Sequence, residues 1–136
     1  TLMSVIECFR YKPQAATLVL DNKKIIDDFT FIIACNTIHT GKGMKMAPKA
    51  ILNDGLIDIV VVRGGISTKK LLSTLPKVFN GSHIKDPLVE YFQVNTFGLY
   101  PKNNEILNID GELIGSTPIH VKMLPNAIKF FYDSSQ

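Results

Sequence analysis

The sequence lacks most of the features that announce a chemistry. It has two cysteines in 136 residues, Cys8 and Cys35. Neither falls in a metal-ligand spacing and two thiols make no disulfide framework, so both are read as reduced, partly buried thiols of an intracellular protein. No apolar run approaches the roughly 20 residues of a membrane span. The opening "TLMSVIECFRYKP" has no signal-peptide layout, and the first residue is Thr1 rather than Met, so the chain is expected to be a piece of a longer protein. No internal repeat, low-complexity tract or linker is visible, which leaves one domain spanning residues 1–136.

The same economy extends to charge and motifs. A net charge of +3 excludes a strong polyanion field, and no nucleic-acid partner is expected. The lysines do cluster (Lys23-Lys24, Lys42/Lys45/Lys49, Lys69-Lys70), which makes a solvated basic face or a weak attraction to anionic lipid or phosphate. "GKGMK" has too few glycines at the wrong spacing, with no helix after it, to cradle a phosphate. His39, His83 and His120 are isolated in sequence and read as surface or partly buried side chains. No Ser or Cys sits in a nucleophile elbow.

What the chain has is β pattern. It is 46% hydrophobic and 20% charged, a composition that folds. Leu2, Val5, Ile6 and Phe9 follow helical spacing, ended by Pro13. "ATLVLDNKKIIDDFTFIIACNT" predicts two strands around an Asp21-Asn22 turn. "TGKGMKMAPKA" predicts a loop, and "AILNDGLIDIVVVR" a strand pair or bent strand cornered at Asp54-Gly55. Ser67 to Asn80 predicts a helix capped by Ser67 or Thr68 and by Gly81, with Leu71, Leu72, Leu75, Val78 and Phe79 as its apolar face. Pro76 inside it predicts a kink or a split. "LVEYFQVNTFGLYP", "EILNID", "GELIG", "PIHVKML" and "AIKFFY" read as further strands. Eight or nine short strands with one or two helices predict a mainly β, antiparallel sandwich or barrel-like domain.

Two Asp-Gly turns carry the candidate chemistry. Each is first of all a hairpin signal, since Gly accepts positive φ and Asp tolerates it. Asp110-Gly111-Glu112 adds a second property. Its glycine lets backbone approach a bound group while two carboxylates stand beside it, able to bind Mg²⁺ with phosphate oxygens or to accept a hydroxyl proton. Asp54 with the carbonyls of its sharp turn suits a hard cation.

The ordered series "DDFTFIIACNTIHTGKGMKMAPKAILNDGLIDIVVVRGGIS", "NGSHI" and "NIDGELIG" resembles the C-terminal domain of the diacylglycerol kinase and sphingosine (long-chain base) kinase superfamily, over nearly the whole chain from "FRYKP" to "AIKFF". The resemblance implies the lipid-holding half of an ATP-dependent lipid kinase that phosphorylates the hydroxyl of a sphingoid base or diacylglycerol. Its partners would be the lipid, an N-terminal nucleotide-binding domain carrying a Gly-Gly-Asp-Gly-Thr loop, and an anionic membrane surface. The protein would be cytoplasmic and peripherally membrane-associated, and this chain alone would phosphorylate nothing. By position, Asp110 would be the general base, and Gly111 and Glu112 would lie near the ATP phosphates and Mg²⁺. Asp54, with the carbonyls of Ile51 and Leu56, would hold a structural Mg²⁺. Leu75, Val78 and His83 would line the acyl-chain pocket. Two other readings stay open: a non-catalytic β-sandwich binding module whose Asp-Gly sites are plain hairpins, and an NAD kinase-like domain of the same architecture.

Overall fold

The computed structural model describes residues 12–129. The expected N-terminal helix and the residues from 130 onward lie outside that range. β1 (Gln14–Leu20) and β2 (Lys23–Cys35) form an antiparallel hairpin around Asp21-Asn22, as expected. After a long loop come β3 (Ile57–Arg63), α1 (Thr68–Asn80), a 3-10 turn (Ser82–Lys85), β4 (Val89–Val94) and β5 (Thr96–Pro101). β6 (Ile106–Ile109) and β7 (Glu112–Ser116) then make a separate ribbon, and β8 (Ile119–Lys122) returns to the main sheet.

The six-stranded sheet is antiparallel throughout, in the order β4-β3-β2-β1-β5-β8. That order imposes a shape. Only Asn95 separates β4 from β5, yet β3, β2 and β1 lie between them in the sheet. Four strand spacings in a flat sheet would be roughly 19 Å, whereas Val94 and Thr96 are at most about 7 Å apart along the chain. The sheet therefore curls until β4 and β5 meet at Asn95, the barrel-like form of the expected β architecture. "LVEYFQVNTFGLYP" is two strands rather than one.

A bulge at Thr30 lets β2 follow the curl. The β2–β3 register slips between Phe29 and Phe31, and the buried Thr30 hydroxyl donates to the Arg63 carbonyl at 3.1 Å. Before the bulge Ile25 and Phe29 face inward; after it Ile32 does, while Ile33 and Cys35 turn outward. Inside the curl Leu18, Leu20, Ile59, Val61, Val94 and Phe97 complete one core. Each such aliphatic contributes about 1.5–3 kcal/mol when fully buried.

The outer face of β3 and β4 is also covered. The loop after β2 packs Ala47 and Ala50 against Cys35, and α1 lays Leu71 near Val60, Val62 and Val89. All of Ile57–Val62 is consequently buried, including Asp58. Asp58 Oδ1 accepts from the Tyr91 hydroxyl at 2.6 Å and Gln93 Nε2 at 3.0 Å. Burial first, and Asp58 second, push the Tyr91 phenol above its ordinary pKa. Burial likewise raises the Cys35 thiol.

Three expectations need correction. Residues 51–56 form turns rather than a strand, so Asp54-Gly55 leads into β3 without joining two strands. α1 runs unbroken through Pro76, and Phe79 is exposed rather than part of the packed face. Packing of Thr74 and Val78 holds the helix together, although Pro76 leaves the Leu72 carbonyl without its helical donor. Residues 127–129 form no strand. The caps are as expected: the Ser67 side chain accepts from Lys70 N–H, and Gly81 takes φ 78°.

Asp21 fixes the corner where β4 and β5 meet. Its Oδ1 accepts from Asn95 N–H (3.0 Å), Thr96 N–H (2.9 Å) and the Thr96 hydroxyl (3.3 Å), and its own N–H donates to the Thr96 carbonyl (3.0 Å). Asp21→Ala should cost about 2 kcal/mol in urea unfolding, and Asp21→Asn less than half of that, since Asn keeps an acceptor and tolerates the observed φ of 48°. Equal losses from both would show that the acceptor oxygen is not what closes the corner.

A second test concerns acid. The Lys77 ammonium, 2.6 Å away, together with the Leu88 N–H, holds the buried Asp86 carboxyl below its ordinary pKa. A depressed folded pKa stabilises the fold above the ordinary carboxylate range, and that contribution disappears as pH falls through the folded value. Unfolding midpoints from about pH 7 down to about pH 3 should therefore fall less steeply for Asp86→Asn, from a lower start.

Candidate functional site

Asp110 and Gly111 form the two-residue tip of the β6–β7 ribbon, with Ile109 paired to Glu112. Both tip residues have positive φ, 52° and 92°, the backbone that a tight two-residue hairpin requires. The sequence order Asp-Gly meets this demand directly, since Asp tolerates the left-handed region and Gly is indifferent to it. Asn108 Oδ1 accepts the Gly111 N–H at 2.9 Å and braces the turn. A Cβ at Gly111 would meet no atom within 4 Å. Glycine is needed there for its backbone sign rather than for tight packing.

The ribbon stands off the curled sheet. Every residue of β7 is exposed, as are Asp110 and Gly111. Ile106, Ile109, Leu113 and Ile114 expose between 52% and 71% of their surface. Thr117 clamps the base: its N–H donates to the Glu105 carbonyl at 2.9 Å and its hydroxyl accepts from the Glu105 N–H at 2.7 Å. Thr117 is buried, and nothing in its local sequence marked it as the hinge of the ribbon. Among the described residues, the carboxylates of Asp110 and Glu112 enter no hydrogen bond or ion pair. They are two free anions on a fixed turn.

Asp54 is differently employed. Its Oδ1 accepts the Leu56 N–H at 2.9 Å, and its own N–H reaches the Ile51 carbonyl at 3.3 Å. The neighbouring Gly55 carbonyl accepts from Asn95 Nδ2 at 2.9 Å. Asp54 Oδ1 and the Ile51 carbonyl thus close the turn, and the Gly55 carbonyl docks it on Asn95. No group of three or more His, Cys, Asp or Glu side chains placed to hold a metal occurs among the described residues. The expected structural Mg²⁺ at Asp54, Ile51 and Leu56 is not supported.

Of Leu75, Val78 and His83, the last two meet the loop after β2. The Val78 carbonyl accepts the Lys45 N–H at 2.9 Å, and His83 Nε2 lies 3.0 Å from the Met46 carbonyl. Leu75 sits one helical turn before Val78, half-buried. His83 is 2% exposed, far more buried than the surface or partly buried histidine expected. A carbonyl can only accept, so Nε2 carries the proton. Nδ1 is buried with no hydrogen-bond partner among the described residues. His39 and His120 are exposed, as expected. A shallow groove of about 390 Å³ runs instead along Ala15–Thr17, Ile26–Asp28 and Tyr100–Lys102, and none of the nominated residues lines it. No helix among the described residues is long and apolar enough to cross a membrane.

A curled antiparallel sheet, one outer helix and a projecting Asp-Gly-Glu ribbon define a β-sandwich-like domain. The chain matches, over residues 1–132, the family described as "YegS C-terminal NAD kinase beta sandwich-like domain", and it belongs to that family. It is 27% identical over 130 residues to a Shewanella frigidimarina protein named "Probable lipid kinase YegS-like", covering 96% of this chain and 41% of that protein. It is 33% identical over 101 residues to sphingosine kinase 2 of Homo sapiens, covering 72% of this chain and 15% of that one. A solved diacylglycerol kinase from Bacillus anthracis str. Sterne superposes with a TM-score of 0.75 at 15% identity, over 91% of this chain and 42% of its own. The chain thus spans less than half the length of these relatives.

The turn geometry yields its own test. Gly111→Ala should cost about 1 kcal/mol locally, because Ala is strained at φ 92°, and should speed amide exchange at Glu112 and Leu113 about fivefold. Unchanged exchange would show that the tip does not hold this backbone.

Proposed function

We propose that this chain is the lipid-holding domain of an ATP-dependent lipid kinase and contributes the Asp-Gly-Glu half of its active site. One observation carries the reading: two carboxylates without a partner among the described residues stand on a tight, exposed turn, in a domain matching less than half the length of relatives named as lipid kinases. A turn serving only to reverse the chain would not need both. The ribbon's exposed aliphatics fit a contact with a second, nucleotide-binding domain of the same protein.

Exposed hard oxygens suit Mg²⁺ held jointly with phosphates, so Asp110 and Glu112 fit the cofactor the family implies. When bound, Mg²⁺-ATP supplies the transferred phosphoryl group. Asp110 would hold the lipid hydroxyl and take its proton, and Glu112 would orient the phosphate end of the site. Gly111 allows close approach beside them. Leu75, Val78 and His83 would receive the acyl chain beside the place where Leu71 of α1 packs on Val60, Val62 and Val89. Each methylene buried there is worth about 0.8 kcal/mol. The substrate class is a long-chain lipid with a free hydroxyl, a sphingoid base or a diacylglycerol.

In the full-length protein, Asp110→Asn should lower phosphorylation of the preferred lipid by about a hundredfold or more, with little change in lipid KM. Glu112→Ala should lower kcat and raise the Mg²⁺ requirement. Full turnover by both variants against a panel of sphingoid bases and glycerolipids would remove the ribbon from the active site.

A further inference from the structure

Charge is distributed along this chain with a sharp asymmetry. Residues 29–53 and 59–85 contain eight of the fifteen Lys and Arg residues and none of the twelve Asp and Glu. The first stretch includes the long loop after β2 and the second includes α1. The fold places them in one outer layer: Lys45 N–H donates to Val78 O, His83 meets Met46 O, and a Cβ on Gly81 would touch Pro48 at 3.0 Å. Two of the eight charges are neutralised, Arg63 by Asp27 and Glu90, and Lys77 by Asp86. Lys42, Lys45, Lys49, Lys69, Lys70 and Lys85 are exposed and form no ion pair among the described residues. Asp54, the next acid along the loop, closes its own turn on Leu56.

The same layer exposes apolar side chains. Phe79, on the last turn of α1, is 55% exposed, and Ile51 and Leu52 at the loop's end are 57% and 45% exposed. Phe79 neighbours Val78, to whose carbonyl the Lys45 backbone N–H is bonded, so these two exposed residues stand on adjoining segments of the layer. Lysines around an exposed aromatic and two aliphatics complement an anionic lipid surface: ammonium groups meet headgroup phosphates and the apolar tips enter the interface. An RNA-binding face of this size would need several stacking aromatics, and this layer presents one.

We propose that this outer layer is a membrane-docking face that seats the protein on anionic bilayers, with Phe79 entering the headgroup region and the six lysines holding the surface. It deepens the lipid-kinase reading by naming the surface from which substrate is taken: α1 carries Leu75 and Val78 on one side and Phe79 at its end.

The test is cosedimentation of the full-length protein with phosphatidylcholine vesicles, with and without phosphatidylserine, in the absence of ATP and of any substrate lipid. Binding should need phosphatidylserine and weaken steeply as salt is raised. Lys42→Gln/Lys45→Gln/Lys69→Gln should weaken it about a hundredfold, at about fivefold per lysine. Phe79→Ala should weaken it about tenfold. Replacing the three lysines by arginine should preserve binding and guards against misfolding as the cause. Equal binding to both vesicle types, no binding to either, or unchanged binding by the glutamine variant overturns the proposal. Preferential retention on single-stranded RNA with no vesicle binding also overturns it. The kinase reading fails separately, through Asp110→Asn, on substrate dispersed in neutral detergent micelles where docking plays no part.

Discussion

A single residue, Asn95, must connect strands that the hydrogen-bond ladder places four positions apart. The rest of the structure follows from that constraint. The sheet has to curl, and the curl needs a residue that tolerates close approach of three segments at once. Asn95 donates its side-chain amide to Gly55 O, its N–H meets Asp21, and its carbonyl accepts from Met123 N–H at 2.8 Å. The β1–β2 turn, the turn before β3 and the exit from β8 are thereby tied at one corner. Asp21 supplies the acceptor oxygen that makes the corner cohere, taking three hydrogen bonds from Asn95 and Thr96.

Curling also creates two unequal surfaces. The concave side fills with side chains from five strands and is sealed. The convex side of β3 and β4 would be left bare, and its Asp58-Val60-Val62 row makes a polar end and an apolar end that need different covers. The loop after β2 covers the polar end through Tyr91 and Gln93, whose partners include the Lys49 backbone. α1 covers the apolar end. The layer exists because the outer face of β3 is apolar, and its own outward side is left free to carry lysines and Phe79.

Much of this was legible locally. Asp21-Asn22, Asp110-Gly111, the Ser67 and Gly81 caps and the strand alternation all act within a few residues, so their physics is written beside them in the sequence. What was not legible depends on partners far along the chain. The break at Asn95 is decided by Asp21, 74 residues away, and no propensity at "QVNTF" announces it. The Thr30 bulge is decided by Arg63. Asp58 lies in a run that reads as plain strand and is kept buried by Tyr91 and Gln93. Pro76 is tolerated because Thr74 and Val78 pack, a tertiary effect that outweighs the helix penalty. At the candidate site the turn was readable, but its isolation was not. Thr117 closes the ribbon's base on Glu105, 12 residues away, and nothing beside it in the sequence announces that pairing.

The ribbon and the basic layer are alike in one respect that bears on function. Each is a surface the domain does not need for its own core: β7 is exposed throughout, and the six lysines enter no ion pair among the described residues, Lys49 lying over the Tyr91 ring. A domain folding only for itself would bury Ile106, Ile109, Leu113 and Ile114 or replace them with polar side chains, because a two-stranded ribbon gains little stability alone. It would also intersperse acids among the lysines of α1 and its loop, since like charges on one face repel. Keeping both features costs stability that a third body must return, and their chemistry separates the two bodies. Free carboxylates beside exposed aliphatics suit a protein domain carrying a metal-bound phosphate, whereas ammonium groups around an aromatic ring suit a lipid headgroup. In the proposed kinase both contacts would fall on one domain, and the fold carries the ribbon and the basic layer on different elements, so that one could be engaged without disturbing the other.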